Sequence, residues 1–225
     1  MTQSGRRISR RRFYAVSAAA MWIFGPLTYL ILEAVVAAAF RPHYRYAHNY
    51  ISDLGVPSNN SPLAWLMNSA FCLQGVLFFA GAILICRAFE PRKAELFLML
   101  AAANAVGNTV IAAFHSGPVA QADATAWVHV NGAVWAIAGG NAAIAAGASI
   151  FRNAGGPLWY RRVSVGLAAL GLLGFVMFVV ELTAPVYVLP PAVWERGSVY
   201  PIVAWQMLTA AVLCYPTGRW FRLTT

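Results

Sequence analysis

Six long apolar stretches separated by short polar ones set the pattern of the chain, at positions 14–40, 63–86, 95–114, 125–151, 163–182 and 200–218. Each is close to the roughly 20 residues that cross the hydrocarbon layer of a bilayer as a helix. The pattern predicts an all-α integral membrane protein built as a bundle of six transmembrane helices. A basic segment, 1–13, precedes the membrane domain, 14–218, and a short tail, 219–225, follows it. With 60% hydrophobic and 10% charged residues in 225 positions, the chain carries more apolar surface than a soluble domain of that length buries. One membrane domain is expected, with no room for a separate soluble one.

Arginine and lysine give these spans a direction, because short cytoplasmic loops retain positive charge. Thirteen of the 16 basic residues fall on one side: Arg6, Arg7, Arg10, Arg11 and Arg12, then Arg87, Arg92 and Lys93, then Arg152, Arg161 and Arg162, then Arg219 and Arg222. Only Arg41, Arg45 and Arg196 fall on the other. Both termini are therefore expected in the cytoplasm, and the chain in the cell (inner) membrane of a bacterium. The net charge of +9 follows this distribution and forms no aromatic-interleaved basic face, so a nucleic-acid partner is not expected. Ser9 to Phe13 resemble a twin-arginine export signal, with Ala37 to Ala39 as a cleavage region. The apolar stretch is longer than such signals carry and contains Glu33, so an uncleaved first helix is expected. Cys72, Cys86 and Cys214 imply no structural disulfide.

Polar residues inside a bilayer are costly and face a bundle interior, so their depth is informative. At about 1.5 Å rise per residue, Glu33, Asn68, Asn108, Asn131 and Gln206 come to roughly 8 to 11 Å below the outer surface. His129 is slightly shallower, and Glu181 sits near the outer end of the fifth helix. His43, His48, Asp53, His115, Asp123, Glu195 and Arg196 are also placed on the outer side. The inner half is plainer, with Asn104 near the middle and Asn141 deeper. The six helices thus form one outer polar layer, and a pocket is expected to open outward. A second pattern, Gly139, Ala143 and Gly147 at four-residue spacing, allows close helix approach within the bundle or between two copies of the chain.

The first outer loop reads His48-Asn-Tyr-Ile-Ser-Asp-Leu-Gly55. Ser52 or Asp53 can accept backbone N–H groups in a turn, and Gly55 can take a positive φ. Tyr44, Tyr46 and Tyr50 suit an aromatic belt at headgroup level. The last outer loop carries Glu195-Arg-Gly-Ser-Val-Tyr-Pro-Ile-Val-Ala-Trp205 into the sixth span. Adjacent Glu195 and Arg196 point in different directions, and an Asp53–Arg196 pair is expected.

With Val128-His-Val-Asn-Gly-Ala133 in the fourth span, these two segments resemble the bacterial and archaeal membrane proteins grouped as domain of unknown function 998. The resemblance covers nearly the whole chain and implies six helices but no established reaction. It singles out Ser52, Asp53, Gly55, His129, Glu195 and Arg196. The chain departs from the family's pattern at Phe114-His-Ser-Gly-Pro118, where Phe followed by Pro is expected, and this puts any role of His115 in doubt.

Three functions remain open. The first is a pocket for a lipid or other amphiphile, formed by Glu33, His48, Ser52, Asp53, His129, Asn131, Glu181, Glu195 and Arg196, with Arg41, Arg45 and Arg196 available to a phosphate. The second is a hydrolase in which His48, His115 and His129 with a carboxylate hold zinc. The third is a structural or regulatory membrane component. The first is the reading taken, with membrane lipids as partners and no cofactor. P-loop, nucleophile-elbow, dinucleotide and CxxC signatures are absent.

Overall fold

A computed structural model of the chain describes residues 3–58, 60–91, 94–117, 121–184 and 187–214. The expected tail 219–225, the last residues of the sixth span, and Arg92, Lys93, Pro118, Arg219 and Arg222 lie outside the described residues. Among the described residues six long helices run in order: α1 Gln3–Ala39, α2 Ala64–Phe89, α3 Glu95–Ala113, α4 Ala126–Asn153, α5 Leu158–Thr183 and α6 Pro191–Cys214. All six are long and apolar enough to cross a membrane, and the chain is a multi-pass membrane protein.

Helices adjacent in sequence pack side by side, and α6 returns against α1, so the bundle closes into a ring. Successive helices are antiparallel. The start of α1 meets the end of α2 through Arg11 and Glu90, while the chain leaving α1 meets residue 60 through the Arg41 amide. One end of the bundle therefore carries the loop 40–63, here called the loop end. The other carries the amino-terminus.

Three helices start five or more residues before the apolar pattern predicts: α1, α6 and, at Leu158, α5. α1 extends back to Gln3 because its arginines are good helix formers, and all but the half-buried Arg11 stay exposed. α6 starts at Pro191, not near 200, with the proline in the first turn where its missing N–H is harmless. The polar segment Trp194–Ser198, expected as loop, is thus the first part of a buried helix.

The half of the bundle nearer the amino-terminus is packed with aromatic rings. Trp22 lies against Trp205 at 5.1 Å between centroids and against Phe78 at 5.8 Å. Their polar tips are satisfied, since Trp205 Nε1 donates to Ser164 Oγ at 3.0 Å and Tyr160 OH pairs with Thr209 Oγ1 at 2.8 Å. The seam of Gly139, Ala143 and Gly147 is used inside the chain. A Cβ on Gly139 would lie 3.1 Å from the Leu100 carbonyl, and one on Gly147 would lie 2.8 Å from the Trp205 ring. At Gly107 the α3–α4 crossing is tighter still, with Ala136 N at 2.3 Å from a Cβ position.

Candidate functional site

At the loop end the chain buries charge, and each buried group has fixed partners. Glu33, Glu195 and Arg196 are all buried, at 2%, 7% and 8% exposed. One helical step separates Glu195 from Arg196, so they face different neighbours. The Glu195 carboxylate accepts the backbone N–H groups of Ile51 and Ser52, the latter at 3.3 Å, and so holds the 3-10 turn Ser52–Gly55 against α6. Arg196 turns toward the loop. Its guanidinium donates to the carbonyl of Asn49 at 2.9 Å, to that of Ala192 at 3.1 Å, and to the Tyr44 hydroxyl.

The same guanidinium lies 3.8 Å from Glu33 Oε1 and over the rings of Tyr44 and Tyr46, at 5.4 and 5.1 Å from their centroids. Tyr200 OH donates to Glu33 Oε1 at 2.9 Å. The expected Asp53–Arg196 pair is not formed; Arg196 meets Glu33 instead. Asp53 accepts the Tyr50 N–H at 2.8 Å within its own turn. Burial raises the Asp53 carboxyl above its ordinary value, and burial likewise pushes the Tyr44 hydroxyl up.

Gly55 serves the turn through space, not through backbone conformation. The positive-φ glycines among the described residues are Gly117 and Gly155. A Cβ at Gly55 would come 2.5 Å from Asn68 Oδ1, whose amide nitrogen donates to the Gly55 carbonyl at 2.9 Å.

Beneath this turn lies a cavity of about 60 Å³, which runs to the middle of the bundle. Its walls come from the 51–52 turn and from α1, α2, α3, α4 and α6; α5 contributes none of the lining residues. Most of the wall is apolar, and the polar residues are Ser52, Gln74, Asn104, Asn108, His129 and Glu195, with Tyr29 beside them.

Most of the amide donors are already committed. Asn104 Nδ2 donates to the Ala136 carbonyl at 2.6 Å and Asn108 Nδ2 to the Asn104 carbonyl at 2.9 Å, while Gln74 Nε2 donates to Gln206. His129 Nδ1 donates to the Phe114 carbonyl at 2.7 Å, which leaves Nε2 as the acceptor of the neutral ring. Asn104 Oδ1 is buried and has no hydrogen-bond partner. Acceptors therefore predominate: the Asn104 amide oxygen, the equally unpartnered Gln74 Oε1, and the His129 imidazole nitrogen. A group carrying N–H or O–H would satisfy them, and an anion would not.

The residues marked out in the sequence fall into three places. Ser52, His129 and Glu195 line the cavity; Glu33, Asp53 and Arg196 build the charged layer around the turn. His48, Asn131 and Glu181 stand apart. His48 is exposed on the loop, and Asn131 is exposed, its amide donating back to the Trp127 carbonyl one turn earlier. Glu181 fastens the chain before α6, accepting the Val188 and Leu189 N–H groups at 2.7 and 3.1 Å and the Trp194 indole at 3.1 Å.

His115 pairs with Asn68 at 3.0 Å and lies within electrostatic reach of His129, while His48 is exposed on the loop. Among the described residues no three His, Cys, Asp or Glu side chains are grouped to hold a metal ion. Arg41 and Arg45 are exposed on the loop and are absent from the cavity wall. Gln74 is not singled out by the sequence, and Asn104, expected in the plainer inner half, lines the cavity. Asn104 and Asn108 share one face of α3, and that i, i+4 spacing is the signal that could have paired them.

The sequence profile of the family described as "Protein of unknown function (DUF998)" matches residues 10–212. No curated protein and no solved structure matches the chain.

Proposed function

The chain belongs to the DUF998 family of proteins of unknown function, and we propose that it is a membrane-embedded binding protein for an amphiphile whose polar end donates hydrogen bonds. The observation that carries this reading is the acceptor-rich wall of the central cavity, where Asn104 Oδ1 and Gln74 Oε1 are buried without a hydrogen-bond partner in an otherwise apolar lining. The volume of about 60 Å³ suits a fragment the size of about four waters, so it would take a hydroxyl or amine terminus while the tail stays in lipid. Arg196 is held by Tyr44, Asn49 and Glu33, which argues against using it to capture a phosphate here. The arginine asymmetry supports an orientation in a bacterial cell membrane with the loop end outside and the termini in the cytoplasm. Reporters fused at residues 60 and 153 would give opposite signals in that orientation.

The test uses protein purified in detergent and three amphiphiles of equal chain length: a primary amine, an alcohol and a carboxylate. The amine and the alcohol are expected to raise the unfolding midpoint, and the carboxylate is not. Ala133→Leu, which fills the cavity without removing a polar group, should abolish the response. An equal response to all three, or one that survives Ala133→Leu, would sink the proposal and leave a structural role.

A further inference from the structure

At the amino-terminal end, the first turns of α1 run beyond its apolar stretch and lie beside the end of α2. Glu90 joins them, accepting Arg7 Nη2 at 2.8 Å and Arg11 Nη2 at 2.6 Å. Glu90 closes α2 with a left-handed backbone, φ +47°, and its N–H donates to the Cys86 carbonyl at 2.8 Å. The two helices enclose an open pocket of about 760 Å³ lined by five arginines and this one carboxylate, a formal excess of four positive charges. Arg6, Arg10 and Arg87 line it with no ion pair among the described residues. Arg10 reaches the Tyr14 hydroxyl at 3.4 Å, and Arg87 approaches the same hydroxyl from α2.

We propose that this pocket binds the phosphate of an anionic phospholipid headgroup, through Arg10 and Arg87 flanking Tyr14, with Arg6 at the rim. Three observations support it beyond the general preference of membrane proteins for basic ends. The arginines converge from two helices on one concavity and are not strung along a loop. Guanidinium groups offer planar pairs of donors that match phosphate oxygens. Tyr14 and Cys86, the first residue of one apolar run and the last of the other, line the pocket, and the neighbouring Phe13 is 66% exposed, so the pocket sits at the level where headgroups meet acyl chains. Arg7 and Arg11 are held by Glu90 and shape the wall; Arg10 and Arg87 meet only the Tyr14 hydroxyl among the described residues and keep further N–H donors for a ligand.

The experiment titrates the purified full chain with short-chain phosphatidylglycerol, with phosphatidylcholine of the same chain length, and with inorganic phosphate, and reads binding by native mass spectrometry and by the unfolding midpoint. Phosphatidylglycerol should bind preferentially, and inorganic phosphate should not displace it. The double variant Arg10→Gln/Arg87→Gln, which leaves the Glu90 pairs intact, should weaken phosphatidylglycerol by about thirtyfold. Arg152→Gln/Arg162→Gln removes the same charge from exposed positions at the same end, outside the pocket, and should change little. Equal weakening by both double variants would assign the effect to diffuse charge and overturn the site. So would equal binding of the two lipids. Displacement by inorganic phosphate would overturn the lipid and make this a site for a free anion.

Discussion

Arg196 at the loop end is 8% exposed and held by a carboxylate, a phenol, two backbone carbonyls and two aromatic faces, whereas the side chain of Arg7 at the amino-terminal end is 68% exposed and held by Glu90 alone. Both are arginines paired with glutamate, yet they do different physical work. A charge removed from water needs its solvation rebuilt from fixed groups, and each of those groups is then constrained to one place. The loop end therefore has little freedom in α1, α6 and the 44–53 segment. The amino-terminal end leaves its charge to water, and its order comes from ring packing around Trp22 and Trp205.

Glu33→Leu attacks this contrast most directly. It leaves Arg196 buried without its counter-charge and should cost about 3–5 kcal/mol of unfolding free energy, measured by denaturant titration in micelles. Adding Arg196→Met should restore part of that loss, because the pair is coupled. A simple sum of the two single losses would show that the cluster is not a unit. Next in size, Tyr160→Phe removes the hydroxyl that pairs with Thr209 in the aromatic half and should cost about 1 kcal/mol. Thr209 keeps its bond to the Trp205 carbonyl at 2.7 Å, so no donor is stranded. Glu90→Gln, at the solvated pair, should cost less than about 1 kcal/mol and less again in salt.

The smallest effect is one of sign. Hydrogen bonds from Arg11 and then Arg7 lower the Glu90 carboxyl below its ordinary value. Its contribution is present above the unfolded pKa and is lost as pH falls through the lowered one. Burial raises Asp53. The folded state then holds that proton more tightly, so its contribution is present below the unfolded pKa and is lost as pH rises through the raised one. Stability profiles of Glu90→Gln and Asp53→Asn should flatten in opposite directions; parallel changes would erase the distinction between the two ends.

The spans were legible because apolar length against bilayer thickness is a strong constraint, and the structure has a helix in every predicted stretch. The start of α6 was not legible. Glu195 and Arg196 read as loop because their burial depends on Ile51, Ser52, Tyr44 and Glu33, which are about 140 to 160 positions away in the chain. Depth alone placed Glu33 and Asn108 in a polar layer, but it gave Asn131 the same place, because rise along a helix says nothing about which side a residue faces. Asn131 is exposed and satisfied by its own helix. The cavity was hidden for a related reason: its acceptors are recognised only after every neighbouring donor has been followed to its partner.

The attachment of the 51–52 turn to Glu195 has a kinetic consequence. The N–H groups of Ile51 and Ser52 that hold the turn above the cavity cannot exchange with deuterium while those bonds stand. Their exchange rates are thus a clock for uncovering the cavity from the loop end, and a bound occupant that closes the turn more firmly would slow both amides together.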